Sequence, residues 1–137
     1  AQRSWPERRM KGVCGWFQDA LHAAMLGRAD DAADFLTAAW AVDLATEEQA
    51  SLGKPGKSIE LRFPAFFGPN FDWVPDQDHT SVNAIALQRM VLQTQHGTTR
   101  LLPAWPQRWN VHFRLHATDQ TVLEARYQDG DLTTISP

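Results

Sequence analysis

The hydrophobic period of the chain changes once, near residue 98, and that change constrains the fold more than any motif does. Before it, apolar residues recur three and four apart, the spacing of one helical face. After it, apolar and polar residues alternate, the spacing of a strand with one covered face. Residues 16–26 predict a helix through Phe17, Ala20, Leu21, Ala24 and Met25, with Asp19 and His22 on neighbouring positions three apart. Gly27 stops it, as glycine does at a C-cap. Asp30 or Asp31 can cap the next helix, 32–40, whose Ala32, Phe35, Leu36, Ala39 and Trp40 share one broad face. Beyond residue 98 a strand at 98–102 comes first. Val111, Phe113, Leu115 and Ala117 then alternate with His112, Arg114 and His116, and Thr121, Leu123, Ala125 and Tyr127 form the next alternating set. Asp129-Gly130 is a two-residue hairpin signal, and 132–135 returns as the last strand. The fold class is α+β: a helical hairpin and one more helix, then a small antiparallel sheet domain, divided as 1–97 and 98–137.

Between the two halves lies a stretch of unusual composition. Residues 46–58 are polar and read as an exposed loop, and 59–63 as a short extended piece. Residues 63–79 are punctuated by Pro64, Gly68, Pro69 and Pro75, which break helices and ladders. Yet they carry Phe63, Phe66, Phe67, Phe71 and Trp73, rings that are costly to leave in water. Asp72, Asp76, Asp78 and His79 sit among them. Aromatic walls beside carboxylates suit a sugar-processing cleft, in which rings stack on sugar faces and carboxylates move protons. An ordinary buried loop whose acids cap the following helix has the same composition. That helix is expected over 80–93, opened by the hydroxyl of Thr80 or Ser81. Its Val82, Ala84, Ile85, Ala86, Leu87, Met90, Val91 and Leu92 predict burial on more than one side.

Other constellations are weaker. Asp76 and Asp78 resemble the start of a calcium loop, but the sixth position is Ser81 and the twelfth Leu87, which excludes an EF-hand and leaves open an irregular Ca²⁺ site that includes Asp72. His112 and His116 on a strand stand about 13 Å apart and cannot share a metal unaided. Cys14, the sole cysteine, reads as a packed thiol. The net charge of -3 gives no electrostatic footprint for nucleic acid, and no apolar run is long enough for a membrane-spanning helix. No metal or cofactor is expected. The first residues, 1–11, are basic and polar around Trp5-Pro6 and read as an irregular lead-in, with a strand end from upstream as one form of it. A single αα-hairpin cannot bury both of its faces. The expectation is therefore a segment of something larger, with Trp16, Phe35 and Trp40 left exposed.

Four blocks, taken in order, carry a resemblance. Phe71-Asp72-Trp73-Val74-Pro75-Asp76-Gln77-Asp78-His79 precedes a helix ending Met90-Val91-Leu92-Gln93. Arg100-Leu101-Leu102-Pro103-Ala104-Trp105-Pro106 follows a His96-Gly97 turn, and Tyr127-Gln128-Asp129-Gly130-Asp131-Leu132 lies near the end. From about Gly15 onward this resembles the C-terminal part of six-hairpin glycosidases, specifically the family 95 α-L-fucosidases and their relatives. The resemblance implies the end of an α/α toroid followed by a C-terminal β-domain. It implies an inverting glycoside hydrolase, an extracellular or periplasmic location, a carbohydrate substrate and an upstream part of the same polypeptide as partner. It implies that Asp78 is the base that activates water, with Asp76 and Asp72 as rivals. Phe71, Asp72, Trp73, Asp76 and His79 would line the substrate site. The general acid would be a glutamate upstream, since Glu7, Glu47, Glu48, Glu60 and Glu124 match no such position, and the segment alone would be inactive. The family has Gly-Asn-Phe-Gly after the base where this chain has His79-Thr80-Ser81-Val82, so the resemblance does not fix fucose as the sugar. The alternative is a carbohydrate-binding or protein-interaction module without catalysis.

Overall fold

The computed structural model describes residues 1–13, 17–41 and 78–136, with the backbone alone at 41, 78–80 and 134–136. The fold is α+β. Among the described residues, α1 (Asp19–Met25), α2 (Ala29–Ala41) and α3 (Asp78–Val91) precede five strands. These are β1 (Leu92–Gln95), β2 (Thr98–Leu101), β3 (Val111–His116), β4 (Val122–Gln128) and β5 (Asp131–Ser136). Two antiparallel sheets result, β1-β2 and β3-β4-β5, where the alternation suggested one.

The helical hairpin forms, but α1 begins at Asp19 and not near residue 16: Phe17 precedes the helix, and Met25, expected on the apolar face, is exposed. α1 ends in a Schellman arrangement: the Gly27 N–H donates to the Ala24 carbonyl at 3.0 Å and the Arg28 N–H to the Ala23 carbonyl at 2.9 Å. Gly27 has φ +71°, and a β-carbon there would stand 3.4 Å from the Pro103 carbonyl oxygen. α2 begins earlier than the apolar pattern, at Ala29. Asp30 and Asp31 are inside its first turn and do not cap it. Their charge still suits that end of the helix. Asp31 takes the Trp5 indole N–H at 2.9 Å and pairs with Arg28.

The first core is built largely from alanine. Ala20, Ala23, Ala24, Ala32, Ala33 and Ala86 are buried together with Leu36 and Met90. Small faces let helix axes approach closely, and the larger side chains fill what remains. Trp5 belongs to this core at 5% exposure. The lead-in is therefore neither a strand nor a solvated tail, because its indole covers the hairpin. Phe35 meets the Trp5 ring edge-on at 6.1 Å and is half-buried, contrary to the expected exposure. Trp40 is exposed as expected, while Trp16 lies outside the described residues.

α3 departs from its expected span at both ends. It starts at Asp78, so Thr80 and Ser81 lie within its first turn. It stops at Val91, and Leu92–Gln95 is strand. Asn83, Ala86 and Met90 form its buried stripe, whereas Ile85 and Leu87 are exposed. Val91, the last residue of the helix, is buried in a different core, so burial on a second side is confined to the C-terminal end. What ends α3 is the later segment 102–104. The Leu102 N–H donates to the Val91 carbonyl at 2.7 Å, and the Ala104 N–H to the Met90 carbonyl at 3.2 Å. These acceptors have no partner inside the helix itself. Between them β1 and β2 turn back through His96 and Gly97, both at positive φ, the two-residue geometry that matches strand twist.

Trp105 joins the two layers. It packs against the alanine core and also against a second core of Val91, Leu92, Phe113 and Ala125. Its indole N–H donates to the Trp109 carbonyl at 2.7 Å, and the two rings meet edge-on at 5.5 Å. In β3 and β4 the alternation holds: Phe113, Ala125 and Tyr127 are buried, while His112, Arg114, His116 and Arg126 are exposed. β4 and β5 turn at Asp129-Gly130, and a register shift at Glu124/Ala125 bends the pairing.

Gln93 ties these parts together. Its buried side-chain amide donates to the Ala24 carbonyl at 2.8 Å and to the Arg89 carbonyl at 2.9 Å. Gln93→Leu should lower unfolding free energy by about 1–3 kcal/mol, because two carbonyl oxygens lose the amide and the Ala24 oxygen keeps only the Gly27 N–H. Urea denaturation checks this, and an unchanged midpoint would show that the amide is not structural.

Candidate functional site

The residues singled out by sequence lie mostly beyond what the structure describes. Phe71, Asp72, Trp73 and Asp76 fall outside the described residues, as does Cys14. Asp78 and His79 are the first two residues of α3, known by their backbone alone. His112 and His116 are exposed on β3, and His112 Nε2 stands 2.9 Å from Glu124 Oε1. Among the described residues, no group of three or more His, Cys, Asp or Glu could hold a metal ion.

The chemistry that the described side chains do assemble is at α1. Asp19, in the first turn, has a side chain with 0% exposure. A charge taken fully out of water needs partners. Arg8 provides one through Nη1, and the Gly12 N–H donates to Asp19 Oδ2 at 2.9 Å. Both come from the segment before the helix, so the carboxylate fixes the path of that segment. Arg8 Nη1 also stands 3.2 Å from His22 Nδ1. A guanidinium only donates, so the contact is a hydrogen bond in the tautomer whose ring proton is on Nε2. The Arg8 Cζ lies 5.7 Å from the centre of the Trp5 ring, a cation–π distance.

An open pocket of about 640 Å³ adjoins this cluster. Trp5, Met25 and Leu26 supply apolar lining, and Ser4, Glu7, Arg8 and His22 supply polar groups. The sequence showed that Asp19 and His22 are neighbours on a helix. It gave no sign that Arg8 joins them, because the pairing depends on a turn in residues 1–8 that carries no periodic pattern. At Gly12, whose N–H reaches Asp19, a β-carbon would meet the Phe17 ring at 2.8 Å, so a glycine suits that position.

The Arg8–Asp19 contact makes a stability prediction. Asp19→Ala should destabilise by about 1–3 kcal/mol, since it strips the acceptor from the Gly12 N–H and the counter-charge from a partly exposed Arg8. Thermal unfolding of the two chains measures the difference. Equal melting temperatures would mean that the buried pair contributes nothing net.

No family model, curated protein or solved structure matches the chain.

Proposed function

We propose that the chain is the C-terminal segment of an inverting glycoside hydrolase of the six-hairpin type, fucosidase-like, acting on a glycan or polysaccharide. The observation that carries the reading is the order of the four blocks: Phe71–His79, Met90-Val91-Leu92-Gln93, Arg100–Pro106, and Tyr127–Leu132. An α-hairpin and a further helix, followed by small antiparallel sheets, is the element order that such a segment requires. The contacts of 102–104 with the end of α3 support it too, because they give the Leu-Leu-Pro-Ala block a reason to follow that helix at a short interval.

In this reading Asp78 is the base. A helix N-terminus favours an ionised carboxylate, and Asp78 opens α3. Inversion needs water between the base and a general acid on the other side of the glycosidic bond. That acid belongs to an upstream part of the same polypeptide, and the segment alone is inactive. Phe71 and Trp73 would stack on the sugar, with Asp72, Asp76 and His79 available to its hydroxyls.

The test uses a longer chain that contains this segment and hydrolyses a glycoside. Asp78→Asn should leave sugar binding in place and reduce turnover by on the order of 10²–10⁴. Loss of turnover in Asp76→Asn or Asp72→Asn with Asp78→Asn unaffected would move the base and keep the reaction class. Full turnover in all three single variants would make the loop structural and end the catalytic reading.

A further inference from the structure

We infer that the free edge of β3 accepts an extended segment of another protein as a fourth strand, one that alternates acidic and aliphatic residues. The backbone is arranged for it. Among the described residues, β3 is an outer strand of the sheet β3-β4-β5. The Ala117 N–H donates to the Thr121 carbonyl at 2.8 Å, which continues the register of β3 on β4. Bonding alternates along an antiparallel pair. Odd-numbered residues of β3 therefore use their backbone groups on β4, and His112, Arg114 and His116 turn theirs to the open edge. All three are exposed. The strand has six residues and no proline, and the register shift in this sheet lies between β4 and β5. An edge of that length and regularity can template another strand.

The two faces of β3 select the occupant. A strand laid beside it has His112, Arg114 and His116 as neighbours on one face and Val111, Phe113 and Leu115 on the other. On the first face, Glu124 stands opposite Arg114 in the register, but its carboxylate bonds His112 at 2.9 Å. Arg114, and Arg126 one strand further in, are left without an ion pair among the described residues. Asp119 and Asp129 sit in the turns at the two ends of the sheet, and Asp131 on the far strand β5, so β3 itself carries a cation and no acid. An acid facing Arg114 stabilises the pair, and a base there opposes it. Pairing β3 with β3 of a second copy would set basic residues against basic residues. On the other face, Val111 and Leu115 are half-buried at the margin of the sheet core, and aliphatic side chains of an added strand would cover them. A period of two then fixes the pattern of the occupant as acid, aliphatic, acid. A nucleic acid supplies negative charge but neither the backbone groups nor the aliphatic face. The inference stands whether or not Asp78 is a catalytic base, because it concerns other residues and is read by binding.

Two short peptides with acetylated and amidated ends test it, one alternating glutamate with valine and the other lysine with valine. Amide chemical shifts of the isotopically labelled full chain are followed as each is added. The glutamate peptide should bind with a dissociation constant on the order of 0.1–1 mM, the weak affinity of one short strand, with the shifts concentrated along β3. The lysine peptide should bind about tenfold more weakly. Arg114→Glu, at an exposed position, should reverse that order. His116→Pro removes one outward N–H and leaves the bonds between β3 and β4 in place, so it should weaken the glutamate peptide about fivefold. Circular dichroism of both variants should match that of the unsubstituted chain, and the comparison of the two peptides needs no variant. No binding of the glutamate peptide, equal binding of the lysine peptide, or shifts centred away from β3 would each overturn the inference. So would undiminished binding to a folded His116→Pro chain, which would mean charge attraction without an added strand.

Discussion

The side chain of Gln93 is the interaction on which the described structure most depends. Its amide is buried and reaches two carbonyl oxygens on different helices, Ala24 near the end of α1 and Arg89 in the last turn of α3. Both acceptors lie where a helix runs out of its own donors. One side chain therefore satisfies two helix ends and sets them side by side. Gln93 is itself a residue of β1, so the same contact fixes where the first sheet leaves the helical layer. Leu102 and Ala104 complete the arrangement by donating to Val91 and Met90. The Leu-Leu-Pro-Ala block thus works as a cap on α3. Pro103 donates no backbone hydrogen bond, and the N–H groups on either side of it do the capping.

Around this junction the two cores are made by different means. The helical core uses alanine, which buries little area per residue but permits close approach, and depends on Trp5, Leu36 and Met90 for volume. The sheet core uses Val91, Leu92, Phe113 and Ala125 with half-buried aliphatic neighbours. Trp105 touches both, and its indole N–H is satisfied by Trp109, so a large polar-tipped ring can sit between layers without an unpaired donor. Ile85 and Leu87 leave apolar side chains of α3 exposed.

Asp19 shows how a buried charge can serve local structure. Its carboxylate holds Gly12 and Arg8, which ties the first turn of the chain to α1. The same contact orients a guanidinium at the edge of an open pocket.

Local pattern by itself determined the elements whose signal is periodic. The αα-hairpin with Gly27 at its bend, the exposure of Trp40, the alternation of β3 and β4 and the Asp129-Gly130 turn all follow from spacing and backbone chemistry that neighbouring residues decide. Element ends were less legible. α3 ends at Val91 and not at Gln93, because Leu102 and Ala104 compete for its last carbonyls and Leu92–Gln95 pairs with β2. The position of Asp78 at the mouth of a helix was legible, and the aromatic run before it as a composition; neither Arg8 nor its partnership with Asp19 and His22 was. Tertiary structure alone decided that partnership, the burial of Trp5, the split into two sheets and which residues of α3 are buried. Each of these depends on which distant groups reach a buried donor, acceptor or apolar face first, and no local period encodes that.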